Sequence, residues 1–240
     1  MSENAQTTFD FGFDLVPAHR HTNPDGSVGG WVAETAHVDE TCYIEFNTYI
    51  YGNARIYGNA HIFGNARIYD DARISGNAHI SGNARIYDDA RISGNVHISG
   101  NARIYDDAHI YGNVCVYDNA RVYDNTCVSG SAYIYGDARV SGSAYIYGDA
   151  RIYGDARIYG NACISEDALI SSQMSIIFGT FKYNFTIYRD SKLGIMVRIG
   201  CQYHTLSHWR SNVKSIAIKN DDAEYESIAR DIFRLAKHIR

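Results

Sequence analysis

Apolar residues return along this chain every six positions. Counting from Val32 to Ile170, twenty-four consecutive sixth positions hold Ile or Val, with no insertion between them. The residue two places earlier is small: Ala36, Cys42, Thr48, Ala54 and so on to Ala168. A period of six fits neither an α-helix nor a run of ordinary hairpins. It suits a short strand followed by a corner. In "ARIYGN" the Ala and Ile point inward while Arg and Tyr alternate outward, and the corner pairs "GN", "DD", "DN" and "GD" are the residues that best tolerate a positive φ. Three such strands close a triangular coil of eighteen residues. Residues 32–176 therefore predict about eight coils, a prism roughly 40 Å long at the ~4.8 Å spacing of neighbouring strands.

The flanks break the beat. Residues 1–31, with "FDFGFDLVPAHRH", are expected to cover the first coil, because an open end coil is a row of unpaired strand edges. Residues 177–240 predict a small α+β cap. Its elements are two strands, "FKYNFTIYRD" and "GIMVRIGCQYHTL", joined at "SKLG", then a helix over about 207–219 and a second from about Asp222. The second helix has an apolar stripe at Tyr225, Ile228, Ala229, Ile232, Phe233, Ala236 and Ile239. Asp221 and Glu224 have the spacing of a capping box.

A second, longer period runs through the first. "YDD" returns at Tyr69, Tyr87 and Tyr105, eighteen residues apart, so identical residues stack on one face of the prism. The outward positions of that first face form an arginine column, Arg67, Arg85, Arg103, Arg121, Arg139 and Arg157, and a tyrosine column, Tyr69, Tyr87, Tyr105 and Tyr123. An aspartate column at Asp70, Asp88, Asp106 and Asp124 follows at the corner. A second face carries His61, His79 and His97, and a third carries Arg55, Arg73, Arg91 and then His109. Stacking arginines at this spacing costs roughly 0.9 kcal/mol per adjacent pair in bulk water, and less in salt. Two readings of the first face follow: a solvated surface with Arg lying over Tyr rings, or a face that grips an anionic ligand or another subunit.

Charge separates along the chain. Residues 1–50 hold one Arg against eight acids, residues 51–176 ten Arg and no Lys against thirteen, and residues 177–240 eleven Lys and Arg against six. The repeats are net negative, which argues against a strong phosphate footprint and so against nucleic acid as the partner. The five cysteines form no C-x-x-C pair or zinc spacing and read as free thiols. No apolar run approaches the ~20 residues of a membrane span, and the N-terminus lacks the pattern of a signal peptide. A cytoplasmic protein is the expectation.

The "IYGNAR" pattern, an aliphatic residue with a small one four places later, resembles the hexapeptide-repeat proteins over residues 32–176. That resemblance implies a left-handed parallel β-helix; the handedness comes from the resemblance, since it runs against the usual right-handed crossover. The near-identical "YGNARI" units and the opening "GGWVAETAHV" are most similar to a bacterial and phage or prophage group of these proteins, which often carry acyltransferase names. Many hexapeptide-repeat proteins are trimeric acyltransferases acting on acetyl- or acyl-CoA, with a catalytic histidine at a subunit interface and often a loop interrupting the helix. Here no loop interrupts the repeats, and His37, His61, His79, His97 and His109 recur as members of the pattern, so none stands out as a general base. The related carbonic-anhydrase branch binds zinc through three histidines, but three residues on one straight column do not converge on a point.

The expectation is therefore a non-catalytic scaffold or binding protein. It would use the Arg/Tyr face for assembly or for capture of an anionic ligand or protein partner, with homo-oligomerisation, a trimer by resemblance. No cofactor or metal is implied. The alternative is a CoA-dependent acyltransferase, with acetyl-CoA as substrate.

Overall fold

The computed structural model describes residues 7–164, 168–170, 177–180, 184–190, 193–199, 202–219 and 225–236. The repeats form a parallel β-solenoid of about eight turns. Most hexads contribute a two-residue strand, and strands eighteen residues apart lie side by side in register, as in Ile68↔Ile86↔Ile104. Three sheets result; two have eight strands each and the third has ten, because the N-terminal segment adds two. The backbone groups of one coil are satisfied by the next. Arg85 donates its N–H to the carbonyl of Ala102 at 3.0 Å, and Tyr87 to that of Ile104 at 3.1 Å.

The interior is a stack of Ile or Val and small residues, 0–1% exposed through most of the solenoid. Each fully buried aliphatic side chain contributes about 1.5–3 kcal/mol, so stability accrues coil by coil. Thr48 and Thr126 take small-residue positions and are fully buried; Thr126 satisfies its hydroxyl on the Tyr123 carbonyl at 2.6 Å.

Three corners separate the faces, and each turns through a left-handed residue. Glycine fills most of them for a steric reason: a Cβ on Gly76 (φ 81°) would sit 2.8 Å from the backbone N and O of Gly94. On two corners the following asparagines form amide ladders. Asn59, Asn77, Asn95 and Asn113 are linked at 3.0–3.4 Å, and Asn65, Asn83, Asn101 and Asn119 at 3.0–3.3 Å.

At the N-terminal end, β1 (Thr8–Asp10), β2 (Leu15–Thr22) and β3 (Val28–Ala33) make an antiparallel addition to the first face. β3 is also the first rung of the solenoid, pairing in parallel with Tyr49 and Ile50. The polar groups left at this edge are met by side chains. The buried His21 donates Nε2–H to the Cys42 carbonyl at 2.9 Å, and Asn23 Oδ1 accepts the Ile44 N–H at 2.8 Å. Burial lowers the His21 pKa, which favours the neutral ring. Arg20 clamps the corner, bonded to the Phe46 carbonyl at 2.7 Å and lying over the Phe46 and Trp31 rings at 3.8 and 4.5 Å.

At the other end an antiparallel sheet of four strands, Ile177–Thr180, Asn184–Asp190, Gly194–Ile199 and Gln202–Thr205, packs with α1 (Leu206–Lys219) and α2 (Tyr225–Leu235). The two strands expected from the sequence are four: Ile177–Thr180 precedes the first, and the second is split in two. The second folds back on itself, with Ile199 opposite Gln202, because a strand of that length left single would present an unpaired edge. Tyr188 and Met196 join the solenoid core, and Thr186 Oγ1 accepts the Cys163 N–H at 3.0 Å. Trp209, the α2 residues Ala229, Ile232 and Phe233, and Ala236 just beyond the helix help form the cap's own core. Asp221, Glu224 and Ile239, like Cys201, lie outside the described residues, as do the side chains of Tyr225 and Ile228.

Candidate functional site

All six ladder arginines fall in one column of the first face, Arg67↔Arg85↔Arg103↔Arg121↔Arg139↔Arg157. Two residues further on, Tyr51, Tyr69, Tyr87, Tyr105 and Tyr123 form one stack. Their ring centroids are 4.8–5.0 Å apart and their planes agree within 4°. Phe11 and Phe13 close the top of the stack against Tyr51 at 4.9 and 5.5 Å, and at the other end Ser141 takes the next position. Burial raises the pKa of Tyr69 and Tyr105 to about 12, with the neighbouring tyrosines adding to it.

The arginines do not lie over this stack. The tyrosines pack against one another, and the one cation–π contact of the column among the described residues is Arg67 over Tyr49 at 5.5 Å. Among the described residues no ion pair involves any arginine of the column. The guanidinium row is therefore available to a partner.

The aspartate column turns the corner as the sequence predicts and has a second task that the sequence did not disclose. Asp70, Asp88, Asp106 and Asp124 are themselves the left-handed corner residues, at φ 57°, 55°, 54° and 57°. Their carboxylates reach one coil onward. Asp88 accepts the Asp106 N–H at 3.4 Å, Asp106 accepts that of Asp124 at 3.4 Å, and Asp124 accepts that of Gly142 at 2.8 Å. Asp118 does the same for Gly136 at 3.1 Å on another corner. Asp71, Asp89 and Asp107, next in the chain, are exposed and complete a carboxylate rail parallel to the arginines. The carboxylate rail stands at the corner, four residues on from the arginines, with the tyrosine stack between them.

On the second face His61, His79 and His97 stack ring on ring at 5.1 and 5.0 Å. Parallel rings aligned in this way do not turn their nitrogens toward one point, and among the described residues no group of three metal-binding side chains occurs. Desolvation, then the neighbouring imidazoles His97 and His61, lowers the His79 pKa. His37 faces Asp39 at 3.0 Å on the exposed surface.

The third face contains a feature that column-by-column reading passed over, an open trough of about 380 Å³ along Arg73, Arg91 and His109. Its signal in the sequence is a change of size in the neighbouring column, which reads Tyr57, Ser75, Ser93, Tyr111. The strands beneath it, Arg73–Gly76, Arg91–Gly94 and His109–Gly112, run four residues each, so the floor is extended up to the corner.

No curated protein matches the chain. Five stretches, residues 50–64, 66–82, 84–100, 98–112 and 132–148, match the YdcK Beta solenoid repeat. They include the first-face residues Arg67 to Tyr105 as well as both walls of the trough. Over those stretches the chain is similar to the YdcK beta-solenoid repeat family.

Proposed function

We propose that the protein is a non-catalytic β-solenoid scaffold, of the kind found among hexapeptide-repeat proteins of bacteria and phages, that associates through its first face. The observation that carries this reading is the pairing of two opposite rails on one surface: an arginine row without ion-pair partners among the described residues and a parallel carboxylate row, separated by a tyrosine stack. Such a face is complementary to itself. A two-fold axis parallel to the rod sets the arginine rail of one copy against the carboxylate rail of the other over the four coils that carry both, from Arg67 to Asp124, and tyrosines against tyrosines. A two-fold axis running across the rod within the interface would set arginines on arginines. The face, about eight coils of ~4.8 Å by ~17 Å, offers on the order of 650 Å² per rod, close to the ~800 Å² of a standard interface. A free polyanion is the weaker occupant, because the carboxylate rail repels what the arginine rail attracts.

The test is a charge swap read by sedimentation equilibrium. Arg67→Glu/Arg85→Glu/Arg103→Glu makes both rails negative, and Asp71→Lys/Asp89→Lys/Asp107→Lys makes both positive. Each variant alone is expected to be monomeric, and the two mixed are expected to associate. Wild-type association that survives both triple changes would overturn the proposal, as would a wild-type chain that stays monomeric at low salt.

A further inference from the structure

We infer that the trough of the third face is a separate binding site for a small acidic saccharide, with one sugar unit seated per coil. This goes beyond association through the first face and uses none of its residues.

The first face shows what the trough lacks. There, two successive coils carry Tyr87 and Tyr105, whose rings fill the space above the sheet at a spacing of 5.0 Å. On the third face the corresponding positions of two successive coils carry Ser75 and Ser93, while Tyr57 and Tyr111 stand at either end. Two ring-sized places are open, bounded by two tyrosines that expose 37% and 45% of their surface. Arg73 and Arg91 run alongside, one per coil, and both are exposed. Among the described residues neither takes part in an ion pair, and neither serine hydroxyl is hydrogen-bonded.

The chemistry of the lining selects the ligand class. Guanidinium groups bind carboxylates in bidentate fashion, serine hydroxyls donate to and accept from sugar hydroxyls, and a tyrosine ring packs against the apolar face of a pyranose. The volume lies at the small end of ligand pockets. Spacing decides between a sugar and a planar base. The bounding tyrosines are three coils apart, ~14 Å, too far for one flat ring to touch both. An extended chain of pyranoses advances by about one ring length per unit, on the order of a coil's ~4.8 Å. A disaccharide of uronic acid therefore places one ring over Ser75 and one over Ser93, with a carboxylate within reach of each arginine.

The experiment is isothermal titration of the intact protein with digalacturonate. Lactose serves as the neutral disaccharide and ADP as the planar anion. Digalacturonate should bind and lactose should not. Arg73→Ala/Arg91→Ala should weaken binding about tenfold or more, as loss of charge-assisted hydrogen bonds implies. Ser75→Tyr/Ser93→Tyr refills the two places with the residues the first face already carries there. It should abolish binding while circular dichroism and the melting transition stay those of the wild type. The proposal is overturned if wild-type protein takes up no digalacturonate at about 10 mM, or if the filled variant binds it as well. ADP binding that the filled variant loses, without digalacturonate binding, would overturn the saccharide class. The arginine variant of the first face, Arg67→Glu/Arg85→Glu/Arg103→Glu, replaces no residue of the trough and should retain digalacturonate binding that the filled variant loses, so the two proposals fail separately.

Discussion

The carboxylate of Asp124 accepts the backbone N–H of Gly142, eighteen residues later, at 2.8 Å. Asp124 is also the residue that turns the corner, at φ 57°. One side chain thus closes its own coil and ties it to the next. Asp124→Ala should cost about 2–3 kcal/mol, combining the left-handed penalty of an alanine with a lost charge-assisted bond. Asp124→Asn keeps an acceptor and tolerates the same φ, and should stay within about 0.5 kcal/mol of the wild type. Urea unfolding of both variants separates them.

Asp70 illustrates the opposite sign on the same corner. Desolvation first, then the neighbouring Asp88, raises its pKa above the ordinary carboxylate value. The folded state therefore prefers the protonated form. Its stabilising contribution is present below pH ~3.9 and is lost as pH rises through the raised value. Asp70→Asn should accordingly be more stable than the wild type at neutral pH, with the difference vanishing in acid. Melting temperatures measured against pH check this.

The tyrosine stack makes an alkaline prediction. Tyr69 and Tyr105 titrate near pH 12 in the folded protein, against about 10 in an unfolded chain. Stability should hold below pH ~10 and fall as pH rises toward 12. Tyrosinate absorbance, followed alongside circular dichroism, should show these rings ionising as the solenoid unfolds. Tyr87→Ala removes two stacking contacts, at 4.9 and 5.0 Å, each worth about 0.5–1.5 kcal/mol beyond buried area.

The histidine stack predicts sensitivity on the acid side. His79 has a lowered pKa, chiefly from desolvation, so its contribution to stability is present above pH ~6.5 and is lost as pH falls through the folded value. His79→Tyr, the residue found later in the same column at Tyr133, should remove that part of the acid-side loss. A melting curve that falls equally with pH in the variant would show that the stack does not titrate with folding.

Two corner positions, side by side in the chain, should differ sharply. A Cβ on Gly94, at φ 92°, would meet the Gly112 carbonyl oxygen at 2.8 Å. Gly94→Ala should cost at least about 2 kcal/mol. The adjacent Asn95→Ala removes two rungs of an exposed amide ladder, at 3.0 and 3.1 Å, and should cost no more than about 1 kcal/mol. Thermal unfolding of the pair measures the contrast.

The solenoid was legible because its repeat is an unbroken rule: an aliphatic residue every six positions, from Val32 to Ile170, satisfies a buried triangular core and nothing else of that period. The columns followed, since residues eighteen apart must stack. The cap was less legible. Hairpins such as Ile199↔Gln202 are decided by which edges find partners, and local alternation reads the same in one long strand as in two short ones.

Sequence periodicity by itself determined the three-sided solenoid and the membership of every column, because in-register parallel pairing leaves each side chain only one place. Tertiary structure alone decided what the columns do. The tyrosines stack on one another and not under the arginines, which have no ion-pair partner among the described residues. The aspartates, already expected at the corners, reach to the next coil, and two serines between tyrosines open a trough. Those outcomes depend on χ angles, on ring-to-ring distances of 4.8–5.0 Å and on the backbone at positive φ. A repeat pattern specifies which residues are neighbours, but the competition among their contacts is settled only in three dimensions.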